Sequence, residues 1–280
     1  MKSLKILSLV VLNTSFFAQT NSEKYVVDDD GIIVEKPVTS KSYDENYNSN
    51  NIIYTIGKKF TYSYFYQNAK GEKFLIKKGK EILQPDGYSI ADWDFVNIDQ
   101  QDNETVKYLI LKPNSGNPFA TNLPDYNQTA IGYEYLMNNG KFLTMEMTGA
   151  VENEKNVWIH PPRSNFFEIL ELNPFPYIKA PYQVGTKWIW SLEIGDHWSD
   201  KRWLEWKGEI ENHYIYEITG KKSISMKLGN LECYVVHAKA KSRIGDTELI
   251  SYFNPKFGFV KLEYTNIDKA KTILELEKVE

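Results

Sequence analysis

Cysteine is almost missing from this chain: Cys233 stands alone among 280 residues. No internal disulfide can form, and an exported protein without one fits a bacterial periplasm or cell surface better than an animal secretion. Histidine is scarce too, with His160, His197, His213 and His237 in no paired spacing, so the zinc-protease His pair is excluded and no metal is expected. The nucleophile elbow, the phosphate-binding Gly-Lys loop and the dinucleotide glycine fingerprint are also missing, and no cofactor is expected. An enzyme assembled from distant strands is not excluded by this, because such triads leave no local signature. Positive charge is lacking: 33 basic residues face 37 acidic ones. That balance excludes nucleic acid, which needs clustered Lys and Arg, and argues equally against anionic lipid headgroups as a main partner. Beyond the N-terminus no apolar run approaches the roughly 20 residues of a membrane-spanning helix.

The N-terminus itself reads as a secretory signal peptide. Met1-Lys2-Ser3-Leu4-Lys5 is basic, Ile6 to Phe17 is mostly apolar, and Ala18 precedes the polar run Gln19-Thr20-Asn21-Ser22. The apolar stretch is too short to span a bilayer, and cleavage is expected after Ala18. No cysteine lies there to carry a lipid anchor. Removing Lys2 and Lys5 leaves 31 basic residues against 37 acidic, a net charge of −6. The expected product is an exported protein of the periplasm or cell surface.

Residues 19–51 read as a polar tether in which only Ile32-Ile33-Val34 could pair as a short strand. The Asp28-Asp29-Asp30 run lacks the alternating ligands of a calcium loop and reads as solvated linker. From residue 52 the dominant period is two. Phe60 to Tyr66 is aromatic and strand-forming; Trp188, Trp190 and Leu192 share one face of a strand, and Leu204, Trp206 and Ile210 one face of the next. Turn signals at Asn68–Gly71, Pro85–Gly87, Asn138–Gly140, Leu228–Asn230 and Ile244–Asp246 separate these runs, which implies antiparallel pairing. The only helical candidate, Phe166–Leu172, has room for one or two turns. A mainly β fold follows: an antiparallel curved sheet or half-barrel.

Two segments resemble one another. Ile56-Gly57-Lys58-Lys59-Phe60-Thr61-Tyr62-Ser63 aligns with Val184-Gly185-Thr186-Lys187-Trp188-Ile189-Trp190-Ser191, each a turn glycine delivering the chain into an aromatic strand. Two related halves are one reading of this and chance is the other. The expected organisation is an N-terminal β module, 52–172, and a C-terminal β module, 173–280, joined by the stiff proline-rich passage from Asn173 to Pro181.

Residues 181–265 begin with Pro181 and Val184-Gly185-Thr186-Lys187-Trp188-Ile189-Trp190 and close on Ser251-Tyr252-Phe253-Asn254-Pro255-Lys256-Phe257-Gly258-Phe259-Val260-Lys261-Leu262. This pairing resembles uncharacterised exported proteins of the Bacteroidetes. More distantly it is similar to periplasmic domains of unknown function that curl an antiparallel sheet into a half-barrel around a helix or plug, a shape shared by lipoprotein carriers of the envelope. The resemblance implies fold and compartment and carries no catalytic residue.

Candidate site residues fall into two groups. Five of seven tryptophans lie within residues 188–206; Trp188, Trp190 and Trp206 read as core, leaving Trp198 and Trp203 to stack on an apolar or sugar ligand beside Asp196, His197 and Arg202. The second group is His160 and Arg163, held by Pro161 and Pro162. The competing explanation for both is structural: rings folded over a sheet edge, and a rigid turn. Asp92-Trp93-Asp94 places two acids on one side of a strand, and either that pair or Asp196 and Asp200 could serve a glycan-acting hydrolase; a strand exposing acids and burying Trp93 explains the pattern equally. Cys233 reads as a small buried apolar group and His237 as solvated. The leading expectation is a non-catalytic envelope protein that binds an apolar or amphipathic ligand, or another envelope protein. A secreted glycan hydrolase and a structural surface component are the alternatives.

Overall fold

In a computed structural model of the protein, residues 24–28, 31–36, 50–83, 85, 87, 89–116 and 127–280 are described. The expected signal peptide, Asp29, Asp30 and most of the expected tether lie outside them. The alternating aromatic runs become long antiparallel strands, as their β-branched and aromatic composition dictates. A first pair, β1 (Tyr25–Val27) and β2 (Ile33–Glu35), forms a separate hairpin. All later strands join one sheet. They are β3 (Phe60–Gln67), β4 (Lys73–Leu83), β5 (Ser89–Asn97), β6 (Val106–Pro113), β7 (Thr129–Met137), β8 (Phe142–Glu152) and β9 (Asn156–Ile159), then β10 (Tyr177–Lys179), β11 (Lys187–Ile194), β12 (Ile210–Met226), β13 (Gly229–Ser242), β14 (Gly245–Asn254), β15 (Gly258–Thr265) and β16 (Lys271–Val279).

The sheet runs in the order β10-β9-β8-β7-β6-β3-β16-β15-β14-β13-β12-β11. The C-terminal strand β16 is thus inserted beside β3, and one sheet passes through both stretches expected as separate modules. Strand β3 forks: Phe60–Tyr62 pair with β6, while Tyr66 and Gln67 pair with β4, which leads into the β4–β5 hairpin. The sheet twists into a nearly closed barrel with one seam. At that seam the end strands β10 and β11 meet through rings rather than backbone hydrogen bonds. Tyr177 contacts Trp188 at 5.7 Å and Trp190 at 6.3 Å, and Trp158 meets Trp190 at 6.2 Å. Trp188 and Trp190 in turn stack on Tyr216 and Tyr214 of β12. These edge-to-face and stacked pairs close the cylinder where the ladder stops.

The lumen is filled by the chain itself. Residues Asn165–Leu172 form a 3-10 plug that buries Phe166, Phe167, Ile169, Leu170, Glu171 and Leu172. Prolines set its limits: Pro161 and Pro162 precede it, and Pro174 holds Asn173 extended at φ −98°, ψ 160°. Phe167 packs between Tyr64 and Tyr135, and Phe166 against Tyr66, Trp93 and Phe95. The half-barrel and plug expected from the sequence are both present, with the curl carried close to closure.

Within the stretch expected as tether, Ile32 and Val34 are fully buried, and the Ile33 carbonyl accepts from Asn153 Nδ2 at 2.9 Å and Asn156 Nδ2 at 3.0 Å. The hairpin is therefore docked on the barrel. The two resembling turns also share geometry: Gly57 and Gly185 both sit at φ +92°, and Lys58 N and Thr186 N each donate across the turn at 3.1 Å. One strand expectation fails. Residues 203–209 form a loop and β12 begins only at Ile210, because Asp200 ties its own neighbours into a tight turn and Gly208 adopts φ +72°. Trp206 is nevertheless buried, in a small cluster with Leu172, Ile194 and Ile210.

Gly258 opens β15 at φ +77°, and a Cβ there would meet Tyr54 Oη at 2.5 Å. Gly258→Ala is expected to lower stability by about 2–4 kcal/mol. Gly140→Ala, at φ +79° but with open space around it, should cost only about 1 kcal/mol. Urea titrations of both variants against wild type check this.

Candidate functional site

The plug organises both groups of expected site residues. His160 and Arg163 stand just before it. His160 is wedged against Phe175 at 4.6 Å and Trp158 at 6.1 Å, and its Nδ1 lies 2.7 Å from the Pro161 carbonyl. Nδ1 therefore carries the proton, which leaves Nε2 as an acceptor 3.4 Å from Oε1 of Glu171 on the plug. Burial pushes the His160 ring down to about 3 and the Glu171 carboxyl up to about 8. Burial thus favours the neutral form of both, and they face each other at 3.4 Å with no hydrogen bond between them. Glu171 was not singled out in the sequence, where it reads as one more charge in an apolar segment.

Beside this pair Glu146 accepts from Tyr135 Oη at 2.9 Å, from the Arg163 amide at 2.9 Å and from Ser164 Oγ. Burial raises the Glu146 carboxyl, and those donors oppose the rise. Arg163 Nη2 donates to the Met147 carbonyl at 3.2 Å. Each of these groups is spent on orienting the chain as it enters the barrel.

The loop after β11 closes over the same plug. Arg202 is gripped by Asp200 through two bonds, Nε to Oδ1 at 2.9 Å and Nη2 to Oδ2 at 2.6 Å, and its guanidinium lies 4.0 Å from the centroid of Trp93. Arg202 holds the Asp200 carboxyl below its usual range, and also draws down Glu168 on the plug, which burial raises. Trp203 and Trp198 are half-buried and packed with the Leu172 cluster, while Trp203 Nε1 points at the Trp198 carbonyl at 3.4 Å. Asp196 and His197 are exposed; Asp196 Oδ2 accepts the Gly208 amide at 2.9 Å, and the His197 ring lies 4.8 Å from Trp198. Trp188, Trp190 and Trp206 are core as expected. Asp92 and Asp94 are exposed, each accepting the amide of the next residue, with Trp93 buried between them. Cys233 is buried and its thiol is pushed up to about 11 by burial. His237 is half-buried, with Nε2 3.6 Å from Glu248.

At the opposite end of the barrel lies a cavity of about 470 Å³ between the β1–β2 hairpin, the turn after Asn50 and the loop after β10. Val157, Tyr182 and Phe253 line its apolar part, with Ile52 at the edge. Its rim carries Lys24 and Glu154, 3.8 Å apart. Glu152 beneath it accepts the amides of Ile52, Ile53 and Tyr54, each at 2.8 Å, and so freezes that turn. Sequence reading missed this site because its walls come from five distant segments. Among the described residues no cluster of three or more His, Cys, Asp or Glu could hold a metal, and no helix is long and apolar enough to cross a membrane.

No family model and no curated protein matches the chain. Solved structures do, as similarities of fold. A protein of Parabacteroides distasonis, provisionally described as a lipoprotein, aligns over 82% of this chain and 97% of its own, at 13% identity and a TM-score of 0.46. A provisionally described exported protein of Bacteroides fragilis with a YmcC-like fold aligns over 82% and 98%, at 10% identity and TM-score 0.41. The hypothetical lipoprotein YmcC of Escherichia coli aligns over 78% and 84%, at 8% identity and TM-score 0.34. The first two are described as a lipoprotein and an exported protein of Bacteroidetes, the group that residues 181–265 resemble.

The Glu171 proton has a measurable consequence. A carboxyl raised in the folded state adds stability that is full below the unfolded value near 4.5 and is lost as pH rises through about 8. Glu171→Gln keeps a neutral donor at every pH. It should match wild type near pH 4 and melt roughly 5 °C or more above it at pH 8.5. Thermal melts across that range check the sign; a variant less stable than wild type at pH 8.5 would show a charged Glu171.

Proposed function

We propose that the protein is an exported binding module that holds an apolar or amphipathic molecule in the cavity beside the β1–β2 hairpin. The observation that carries this reading is the contrast between the two interiors. The lumen, where a carrier would store cargo, is packed with Phe166, Phe167, Ile169 and Leu170. The end cavity combines an apolar wall with a charged rim, and its volume lies in the range of about 300–1,000 Å³ usual for small-molecule sites. Its turn is held rigid by Glu152, so a ligand meets a preformed wall and little ordering cost. An amphipathic molecule suits it best: a short apolar part against Tyr182 and Val157, and a polar part at Lys24 and Glu154.

A protein partner is favoured by a different feature. Ile189 of β11 and Ile215 of β12 are direct cross-strand partners on the outer face, 78% and 57% exposed. Side by side they form a small apolar step on an otherwise polar strand pair, such as an envelope protein could cover.

Native mass spectrometry of the exported protein, followed by organic extraction, tests the ligand reading. A reproducible extra mass, released as an apolar or amphipathic compound, is expected. Ala180→Leu narrows the cavity from its wall and should reduce the bound fraction at least about fivefold with an unchanged Tm. A bare chain in both proteins, or equal loading of the two, would remove the cavity as the site.

A further inference from the structure

We propose that Asp92 and Asp94 close the outer edge of β5 against strand addition, and that the strand they exclude is the same edge of a second copy. In the main strand order every member is paired on both sides except β10 and β11, which meet at the seam. Strand β5 is different. It pairs with β4 alone, so among the described residues its far side carries no ladder. An uncovered edge presents backbone donors and acceptors to any extended chain that meets it.

The groups that face this edge are identified through β4. Along an antiparallel pair, alternate residues exchange both backbone bonds with the partner, and the residues between them point away. Ile76 N donates to Tyr64 Oη at 2.9 Å, and Lys78 N to the Glu104 carbonyl at 3.1 Å. Both amides thus point away from β5. Their register partners, Phe95 and Trp93, therefore point away from β4, with their amides directed at the free edge. These two amides are the ones the acids take. Trp93 N donates to Asp92 Oδ1 at 2.8 Å, and Phe95 N to Asp94 Oδ1 at 2.7 Å. A carboxylate holding a backbone amide makes a charge-assisted bond, stronger than the neutral bond that an incoming carbonyl offers. An added strand must break both.

The strand has reason to be guarded. Around the two acids β5 reads Ile90-Ala91, Trp93 and Phe95-Val96, which is strand-forming and free of basic residues. The same hairpin carries Ile82 at 51% and Leu83 at 75% exposure at the end of β4. Without the acids it has the features of a self-associating edge. A second copy is also the occupant that the charges oppose. Two β5 edges can pair antiparallel about a twofold axis through Trp93 or through Asp94. The first register sets Asp92 of one copy opposite Asp94 of the other, and the second sets Asp94 opposite Asp94. Like charges directly opposite each other destabilise a strand pair. A bulge between Lys78 and Glu81 adds to this by bending the hairpin, with Gly79 packed against the backbone of Asp92 and Trp93. The acid pair that suggests general acid–base chemistry in the sequence is here an edge device, each carboxylate spent on the amide beside it.

Sedimentation equilibrium of the purified protein over a wide range of concentration tests this. Wild type is expected to stay monomeric. Asp92→Ala/Asp94→Ala removes both cap and charge, and should self-associate with a constant at least about tenfold above any wild-type value. Asp92→Asn/Asp94→Asn keeps an oxygen for each amide and loses only the charge, so it should fall between the two. Hydrogen exchange read by mass spectrometry should show residues 93–95 protected in the associated alanine variant and unprotected when it is diluted. The alanine replacements should act equally in an Ile189→Ser/Ile215→Ser background, because that apolar step lies on β11 and β12. Single variants Asp92→Ala and Asp94→Ala carry the result if the double variant melts early. Alanine variants as monomeric as wild type, association without protection at 93–95, an asparagine variant that associates as tightly as the alanine one, or loss of association in the serine background would each overturn the proposal.

Discussion

A sheet that curls almost shut must fill its own lumen, and the rest of this structure depends on how that space is filled. Twisted antiparallel strands draw their inward rings toward a common axis, and in this barrel the rings alone leave room that only a chain segment can occupy. The plug Asn165–Leu172 supplies it, and the prolines on both sides deliver it as a short, tightly wound piece rather than a longer helix. The same constraint explains the seam. With β10 only three residues long, backbone pairing cannot continue to β11, and tryptophan and tyrosine rings close the gap instead.

Threading a polar-ended segment through an apolar lumen has an electrostatic cost that the surrounding residues offset. Burial favours the neutral forms of Glu171 and His160, which face each other; Glu146 is surrounded by donors; Arg202 takes its countercharge from Asp200 and its packing from Trp93. Removing water makes each unpaired charge expensive, so these groups are matched or neutral. That is why the residues most suggestive of chemistry in the sequence are engaged in architecture here. The two ends of the barrel divide accordingly. One is sealed by the loop 195–209 and the plug's last turn, through Leu172, Ile194 and Trp206. The other carries a docked hairpin, rigid turns and the open cavity.

Much of this was legible in the residues alone. Alternating aromatics in 60–66 and 188–192, glycine at the turns and the absence of any long amphipathic stretch determine antiparallel strands, because a side-chain period of two has only one satisfying backbone. The burial of Trp188, Trp190 and Trp93 follows from the same alternation and that of Cys233 from its size and low polarity, whereas Trp206 is buried from within a loop.

Tertiary structure decided what local pattern does not encode. The insertion of β16 beside β3 depends on pairings between residues more than 200 positions apart, and the forking of β3 and the closure at the seam depend on which strands and rings the curled sheet brings side by side. The Asp200–Arg202 clamp turned an expected strand into a loop, since a side chain bonding its own neighbours competes with the ladder. Glu171 became a neutral buried acid only because the barrel removed its water, and Ile52, Tyr182 and Lys24 became one cavity wall only when three segments converged. Sequence by itself determined the elements and the faces they bury, through short-range geometry; solvent exclusion and long-range pairing decided which residues share a site and in what charge state.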